Sequence, residues 1–344
     1  MPAPLPTGEP MRAMRLEKTG SLAECEQPLR LVDLPIPEPR EGEILLRVTA
    51  CGVCHTELDE IEGRLPCKLP VVPGHEVVGR VETLGPGVNR FAAGDRAGVG
   101  WIHHSCGGAQ ENLSPEFTAT GCDVDGGYAE YMTVPAAYAV PIPAALGDVE
   151  SAPLMCAGAI GYRALSLTGL HDGAPLGLMG FGGSGHLVLQ LCKHQYPNSP
   201  VYVFTRGEEV QAFATELGAD WSGGISSSPP QPLAAIIDTT PVWKPVVQSL
   251  EKLAPGGRLV INAIRKEAGD QSELMQLSYH KHLWMEREIK SVANLTHHDI
   301  AAFLPLAAEI PIHPTTQTYP LEQANRALCD LRNGNVRGAK VLEI

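Results

Sequence analysis

Hydrophobic and polar positions follow two different rhythms along this chain. Up to about residue 150, short apolar runs such as "GEILLRVTA" (42–50) and "HEVVGRVETLG" (75–85) alternate with Gly-, Pro- and Asp-bearing turns such as "FAAGDRAG" (91–98). Short Val/Ile/Leu runs bounded by turn residues predict β-strands. From about Gly158 the pattern changes. "GYRALSL" has helical spacing, and "PLGLMGFGGSGHLVLQLCKHQ" (175–195) reads as an apolar strand, a glycine turn and a helix. "PVYVFTR" predicts a second strand and "EEVQAFATELGA" an amphipathic helix ending at Gly218. "LAAIIDTT" is a further strand, followed by a helix over "WKPVVQSLEKLAPGG" (243–257) and a strand in "GRLVINAI". Strand and helix alternating in this way predict a parallel, doubly wound sheet. The last 50 or so residues close with a helix, "LEQANRALCDLRNG", and a strand, "GAKVLEI", and look like a return to another domain.

A chain of 344 residues, 44% hydrophobic and 19% charged, has room for two cores. Its net charge of −13, with no long basic run, argues against a nucleic-acid or anionic-membrane surface. No stretch approaches the ~18 apolar residues of a spanning helix, and the first 20 residues lack the apolar core of a signal peptide. A soluble cytoplasmic protein is the expectation. The nine cysteines are an odd set in a long chain. Metal binding or burial is expected of them rather than a disulfide framework.

"GFGGSG" places Gly180, Gly182, Gly183 and Gly185 in a G-x-G-x-x-G frame between a strand and a helix. Alone the pattern marks only a turn. In that context it predicts a dinucleotide site: the glycines allow the tight turn and the close approach of backbone to pyrophosphate, and the helix N-terminus offers unpaired N–H groups. An NAD site usually carries an acidic residue some 20 positions on, for the ribose hydroxyls. Thr205 and Arg206 stand there instead. A hydroxyl beside a guanidinium suits a 2'-phosphate, which favours NADP(H) over NAD(H), while the nearby Glu208 and Glu209 weaken that case.

"CGVCHTELDEIEG" (51–63), "PGHEVVG" (73–79) and "PLMCAGAIGYRAL" (153–165) carry Cys51, Cys54, His75 and Cys156, with carboxylates beside them. Two thiolates and an imidazole suit a catalytic zinc with one open position. Spacing alone does not choose Cys54 over Cys51, and buried thiols or half of a structural zinc site fit the CxxC equally. "WIHHSCGGAQENLS" (101–114) sets His103, His104 and Cys106 close together and looks like a second metal site.

These stretches, "CGVCHTEL", "GHEVVGRVETLGPGVNRFAAGDRAGVG" and "DGGYAEYMTVP", resemble the zinc-dependent alcohol dehydrogenases of the medium-chain dehydrogenase/reductase superfamily, in the family's order and from about residue 12 onward. Among them it resembles the bacterial, propanol-preferring type. The resemblance implies an α/β chain with a GroES-like β-rich catalytic domain (1–157 and 295–344) and a Rossmann nucleotide-binding domain (158–294). It implies one catalytic zinc on Cys54, His75 and Cys156, with Glu57 orienting the histidine and Glu76 near the metal. Cys51 is then a buried thiol. Thr56 becomes the first proton acceptor from the alcohol, and His55 faces the cofactor pyrophosphate. Relatives carry a histidine relay where this chain has Asp59, so proton release is expected to differ in pH dependence or to bypass that residue through water.

Leu65 and Trp101 fall where the family lines its substrate channel, implying primary alcohols or aldehydes with apolar tails, although Trp101 fits ordinary core packing as well. Arg337 or Lys340 falls near a position basic in relatives that serves the pyrophosphate, or is a surface charge. Relatives hold a second, structural zinc on four cysteines in a lobe that here is shortened, with only Cys106 left. No structural zinc is therefore expected. A substitute site from His103, His104, Cys106 and Cys122 is disfavoured, because adjacent side chains on an extended segment point to opposite faces. The expected partners are a small alcohol or aldehyde and further copies of the chain, as dimer or tetramer. The alternatives are a zinc-free enoyl or quinone reductase on the same scaffold, and a nucleotide-binding relative without activity.

Overall fold

The computed structural model describes residues 10–310, 312, 314–334 and 338–344. The chain separates into two units. One reaches Cys156 and takes in Thr296–Ala308 and the C-terminal residues to Ile344; the other covers Ala157–Leu295 and Glu309–Ile312.

In chain order the first unit contains β1 (Pro10–Leu16), β2 (Leu29–Pro35), β3 (Glu43–Val53), helix α1 (His55–Ile61), β4 (Val77–Leu84), β5 (Arg96–Val99), β6 (Ile102–His104), β7 (Thr118–Ala119), β8 (Tyr131–Pro135), β9 (Ala139–Pro141) and α2 (Asp148–Ser151). The second unit follows with α3 (Ala157–Thr168), β10 (Leu176–Met179), α4 (Gly183–Gln195), β11 (Val201–Phe204), α5 (Glu208–Glu216), β12 (Trp221–Gly223), β13 (Leu233–Asp238), α6 (Lys244–Lys252), β14 (Leu253–Ile261) and β15 (Glu288–Ser291). The chain ends with α7 (His297–Glu309), β16 (Thr316–Pro320), α8 (Ala324–Arg332) and β17 (Ala339–Glu343).

The centre of the first unit is a seven-stranded sheet, β16-β17-β3-β4-β5-β9, with β8 also paired to β3. β3 is covered along most of its length: Ile44, Leu46, Ala50 and Cys51 are fully buried. It runs directly into α1, which begins two residues after the strand ends. That short link fixes the start of α1 against the sheet.

The second unit holds a six-stranded parallel sheet in the order β12-β11-β10-β13-β14-β15. Order reverses between β10 and β13. Open α/β sheets bind ligands at such a switch point, outside the carboxyl ends of the strands. The central strands β10 and β11 are apolar and buried throughout, as strands covered on both faces require, whereas the edge strand β15 is exposed. Met179, Phe204, Ile236, Leu250 and Leu259 form part of one buried cluster.

The structure corrects one boundary. The helix expected over 243–257 stops at Lys252, and β14 begins at Leu253. Pro255 removes an N–H donor and forces its predecessor out of helical geometry, and Gly256 takes φ +71°. Helix α7 spans an apolar stretch with Pro305 inside it.

Candidate active site

Three segments of the first unit bring Cys54, His75, Glu76 and Cys156 together, one ligand atom of each within 4.8 Å of the others. Cys54 is the N-cap of α1, and Glu57 sits at the third helical position. One oxygen of the Glu57 carboxylate accepts from the Cys54 backbone N–H at 2.8 Å, and the other lies 2.6 Å from His75 Nδ1. A single buried carboxylate thus anchors two of the clustered residues. Because Nδ1 faces a carboxylate acceptor, it carries a proton there, which leaves Nε2 as the nitrogen that could bind a metal. That Nε2 is buried and has no hydrogen-bond partner. Buried polar atoms are nearly always satisfied, and an orphaned imidazole nitrogen beside two sulfurs and a carboxylate is a donor set that could hold a cation.

Electrostatics agree with that geometry. A hydrogen bond from Cys156 holds the Cys54 thiol well below its usual pKa despite burial, and the same bond together with burial pushes Cys156 well up. Burial disfavours a charged His75, but Glu57 and Cys54 outweigh it and raise its pKa well above the usual range. Cys51 stays outside the group. It is fully buried, and burial drives its thiol pKa well up. Its sulfur packs closely against the backbones of Gly74 and Gly127, where an added Cβ would come within about 3 Å of it.

Thr56 is buried beside the cluster, its Oγ1 3.5 Å from Cys54 Sγ. Asp59 lies one turn further along α1, buried, with Oδ1 accepting from Arg64 Nε at 2.6 Å. His55 is exposed at the first position of the helix. Trp101 lies tilted against His75 with ring centroids 6.1 Å apart, and meets Phe117 edge-on at 5.6 Å. Leu65 is half-buried just beyond α1, its N–H on the Asp59 carbonyl.

In the second unit the glycine turn follows β10. Gly180 has φ +90°, which L-residues with side chains rarely adopt, and a Cβ there would press on Thr239. A Cβ on Gly185 would come within 2.9 Å of the Gly180 carbonyl oxygen, so this glycine lets α4 pack on the turn. Gly182, the N-cap of α4, opens onto free space, and no side chain caps the helix. Gly183 is its first residue. An uncapped N-terminus on a 13-residue helix at the sheet's switch point fits a pyrophosphate. Thr205 is buried at the end of β11, and Arg206 beside it is exposed. Glu208 and Glu209 sit in the first turn of α5.

Two expectations need correction. Cys67 and Cys122 form a disulfide, with Cα atoms 4.7 Å apart, where burial or metal binding was expected. Their separation of 55 residues gives no sequence signal, and only the fold brings them together. Lys340 is not available to a pyrophosphate. It is buried in β17, its ammonium donating to Gln317 Oε1 and the Tyr319 hydroxyl. Arg337 lies outside the described residues.

The loop after Trp101 is held by polar contacts. Ser105 exchanges hydrogen bonds with the Tyr138 hydroxyl, and its own hydroxyl donates to the Glu111 carbonyl. The fully buried Glu111 carboxylate accepts from the His297 backbone at 2.6 Å and lies 2.7 Å from its ring Nδ1. Among the described residues, no group of three possible metal ligands includes His103, His104 or Cys106. Sequence reasoning missed Glu111, whose role depends on a partner 186 residues away.

Comparison with known proteins agrees with this architecture. Residues 40–144 match the alcohol dehydrogenase GroES-like domain. A "Probable alcohol dehydrogenase AdhA" of Mycobacterium tuberculosis is 44% identical over 329 residues, covering 92% of this chain and 93% of that protein. The "NAD-dependent alcohol dehydrogenase" of Sulfurisphaera tokodaii is 31% identical, covering 96% and 99%. The fold matches that of a thermostable alcohol dehydrogenase from Pyrobaculum aerophilum with a TM-score of 0.86 at 24% identity, over 98% of this chain and 100% of that one. A GroES-like unit and a doubly wound parallel sheet in one chain define an oxidoreductase of the medium-chain type. Within that class, the chain belongs to the alcohol dehydrogenases of the medium-chain dehydrogenase/reductase superfamily.

Proposed function

We propose that this alcohol dehydrogenase works with one catalytic zinc and NADP(H) on primary alcohols and aldehydes that carry an apolar tail. The observation that carries the reading is the orphaned Nε2 of His75 beside the sulfurs of Cys54 and Cys156, with Nδ1 held on Glu57. Two sulfurs and an imidazole make the donor set of a catalytic zinc. Glu76 stands in the same group as a further oxygen donor. Bound there, zinc would supply a Lewis acid for the substrate oxygen, and the dinucleotide would supply the hydride acceptor or donor.

The chain's own residues then divide the work. Glu57 fixes the histidine tautomer and the position of the Cys54 backbone. Thr56, buried beside Cys54, takes the hydroxyl proton in oxidation and returns it in reduction. Asp59, three residues further along the helix, passes that proton outward, with Arg64 holding its carboxylate in place. Trp101 and Leu65 form apolar wall for the substrate tail. Gly180, Gly182, Gly183 and Gly185 shape the turn for the pyrophosphate, and the exposed His55 at the start of α1 is a candidate cofactor contact.

For the cofactor, Arg206 is exposed at the end of β11, with Thr205 beside it and no carboxylate at either position. A guanidinium there suits a 2'-phosphate. The relative named NAD-dependent points the other way. Rates with NADPH and NADH on a short aldehyde series decide between them, and faster turnover with NADH overturns the NADP(H) preference.

Homo-oligomer formation through the second unit belongs to the same reading. β15 is an edge strand whose four residues are all exposed, and Leu283, Trp284 and Met285 are exposed just before it. Such an edge favours pairing with another strand. A cytoplasmic location is part of the proposal and rests on the family; among the described residues no helix is long and apolar enough to cross a membrane. With the Cys67–Cys122 bond closed we place a single zinc in the chain and none in the loop after Trp101. Zinc analysis of the purified protein tests this, and well under one equivalent per chain favours a zinc-free reductase on the same scaffold.

A further inference from the structure

The geometry points to a second metal site, formed by Glu60, Cys67 and Cys122 and opened by reduction of the disulfide. It shares no ligand with the cluster around His75. Glu60 lies on the inner face of α1 at 1% exposure, and neither of its carboxylate oxygens has a hydrogen-bond partner. One of those oxygens and the two sulfurs lie within 4.8 Å of one another. A buried carboxylate without a partner is costly as an anion. Burial, followed by the nearby charge of Glu57, accordingly pushes its pKa well up. In the closed form burial thus disfavours the Glu60 carboxylate anion, and the joined sulfurs cannot act as thiolates.

Reduction changes this balance. A small dithiol gives two electrons and two protons to the Cys67–Cys122 bond and leaves as its own cyclic disulfide. Both protein sulfurs become thiols. A divalent zinc-like cation then displaces one proton from each thiol and any proton carried by Glu60. The resulting two thiolates and one carboxylate, with water in the fourth position, match four-coordinate zinc. Tetrahedral zinc with such bond lengths spaces its ligand atoms about 3.5–3.8 Å apart. The Glu60 oxygen already lies within 4.8 Å of both sulfurs, and the sulfurs, bonded in the closed form, must part once reduced to reach that spacing. Either state, bond or metal, ties the segment after α1 to the turn following β7.

The test compares zinc content in two redox states of the intact protein. Denatured protein should titrate seven thiols before dithiol treatment and nine after it. Native protein, reduced, equilibrated with zinc and desalted, should hold one equivalent more than the oxidised protein. Cys25, Cys106 and Cys329 are free in both states, so their adventitious binding cancels. Cys67→Ser and Cys122→Ser should each abolish the increment. Glu60→Gln keeps both sulfurs and the side-chain size, and should weaken the added equivalent about tenfold or more. Cys54→Ser should remove one equivalent from both states and leave the increment, which separates failure of this site from failure of the catalytic one. Equal zinc in the two states, an increment that survives either cysteine variant, or a bond that resists the dithiol in the native protein would overturn the proposal.

Discussion

Replacing Glu57 by glutamine is the sharpest probe of how the site is built. The carboxylate accepts two N–H donors at once, from His75 Nδ1 at 2.6 Å and from the Cys54 backbone at 2.8 Å. An amide has one acceptor oxygen and one donor NH2. In Glu57→Gln one of the two contacts must therefore set donor against donor, at a position with no exposure to water. Losing one hydrogen bond to a charged acceptor costs about 1.5–3 kcal/mol. If His75 turns to relieve the clash, Nε2 leaves its place beside the sulfurs. We expect zinc affinity, measured by competition with a chromophoric chelator, to fall about 10- to 100-fold. kcat/KM at limiting zinc should fall with it, and excess zinc should restore much of the loss. A variant whose zinc affinity stays within about twofold of the parent would refute the role given to this carboxylate.

Further outcomes follow from the same geometry. Thr56→Ala should lower kcat by about a hundredfold or more while Thr56→Ser keeps most of it, and equal losses in the two would remove the hydroxyl from the proton path. Arg206→Ala should cut kcat/KM for NADPH by about tenfold and spare NADH; equal effects would show that the guanidinium meets no 2'-phosphate. Glu111→Ala strips two hydrogen bonds from His297 and should destabilise the first unit by about 2–4 kcal/mol, seen as a lower melting temperature; an unchanged melt would mean that packing alone holds the loop. In the second unit, hydrogen bonds hold several carboxyls below their usual pKa: Asn198 on Asp172, Arg258 on Glu288 and Lys281 on Glu251. Depressed carboxyls bind fewer protons folded than unfolded, so their stabilisation is present above about pH 4.5 and is lost as pH falls through the depressed values. Urea unfolding followed from pH 6 to pH 3 should show this loss, and a flat profile would contradict it.

The nucleotide-binding half was largely legible from the chain because its signals are local. The run from "LGLM" through "GFGGSG" to "HLVLQLCKHQ" contains strand, turn and helix in one stretch, and the structure has β10, the glycine turn and α4 there. The end of α6 was misjudged because helical periodicity outlasted the helix; Pro255 and Gly256 were the local evidence for stopping earlier. In the other half the chemistry depends on contacts far apart in sequence. Cys54, His75 and Cys156 come from three segments, and only the family resemblance named them before the fold was known. The Cys67–Cys122 bond, the Glu111–His297 contact and the lack of partners for Glu60 are products of tertiary structure. No periodicity in the sequence encodes them.

The most direct test of a zinc-dependent hydride transfer is activity followed against metal content. The purified protein, with its disulfide closed, would be titrated with a strong chelator, and NADPH oxidation with a short apolar aldehyde read at each step. We expect turnover to fall in proportion to zinc removed, to vanish as the single equivalent is lost, and to return when zinc is added back. Full aldehyde reduction by metal-free protein would contradict the assignment of Cys54, His75 and Cys156 as the catalytic centre.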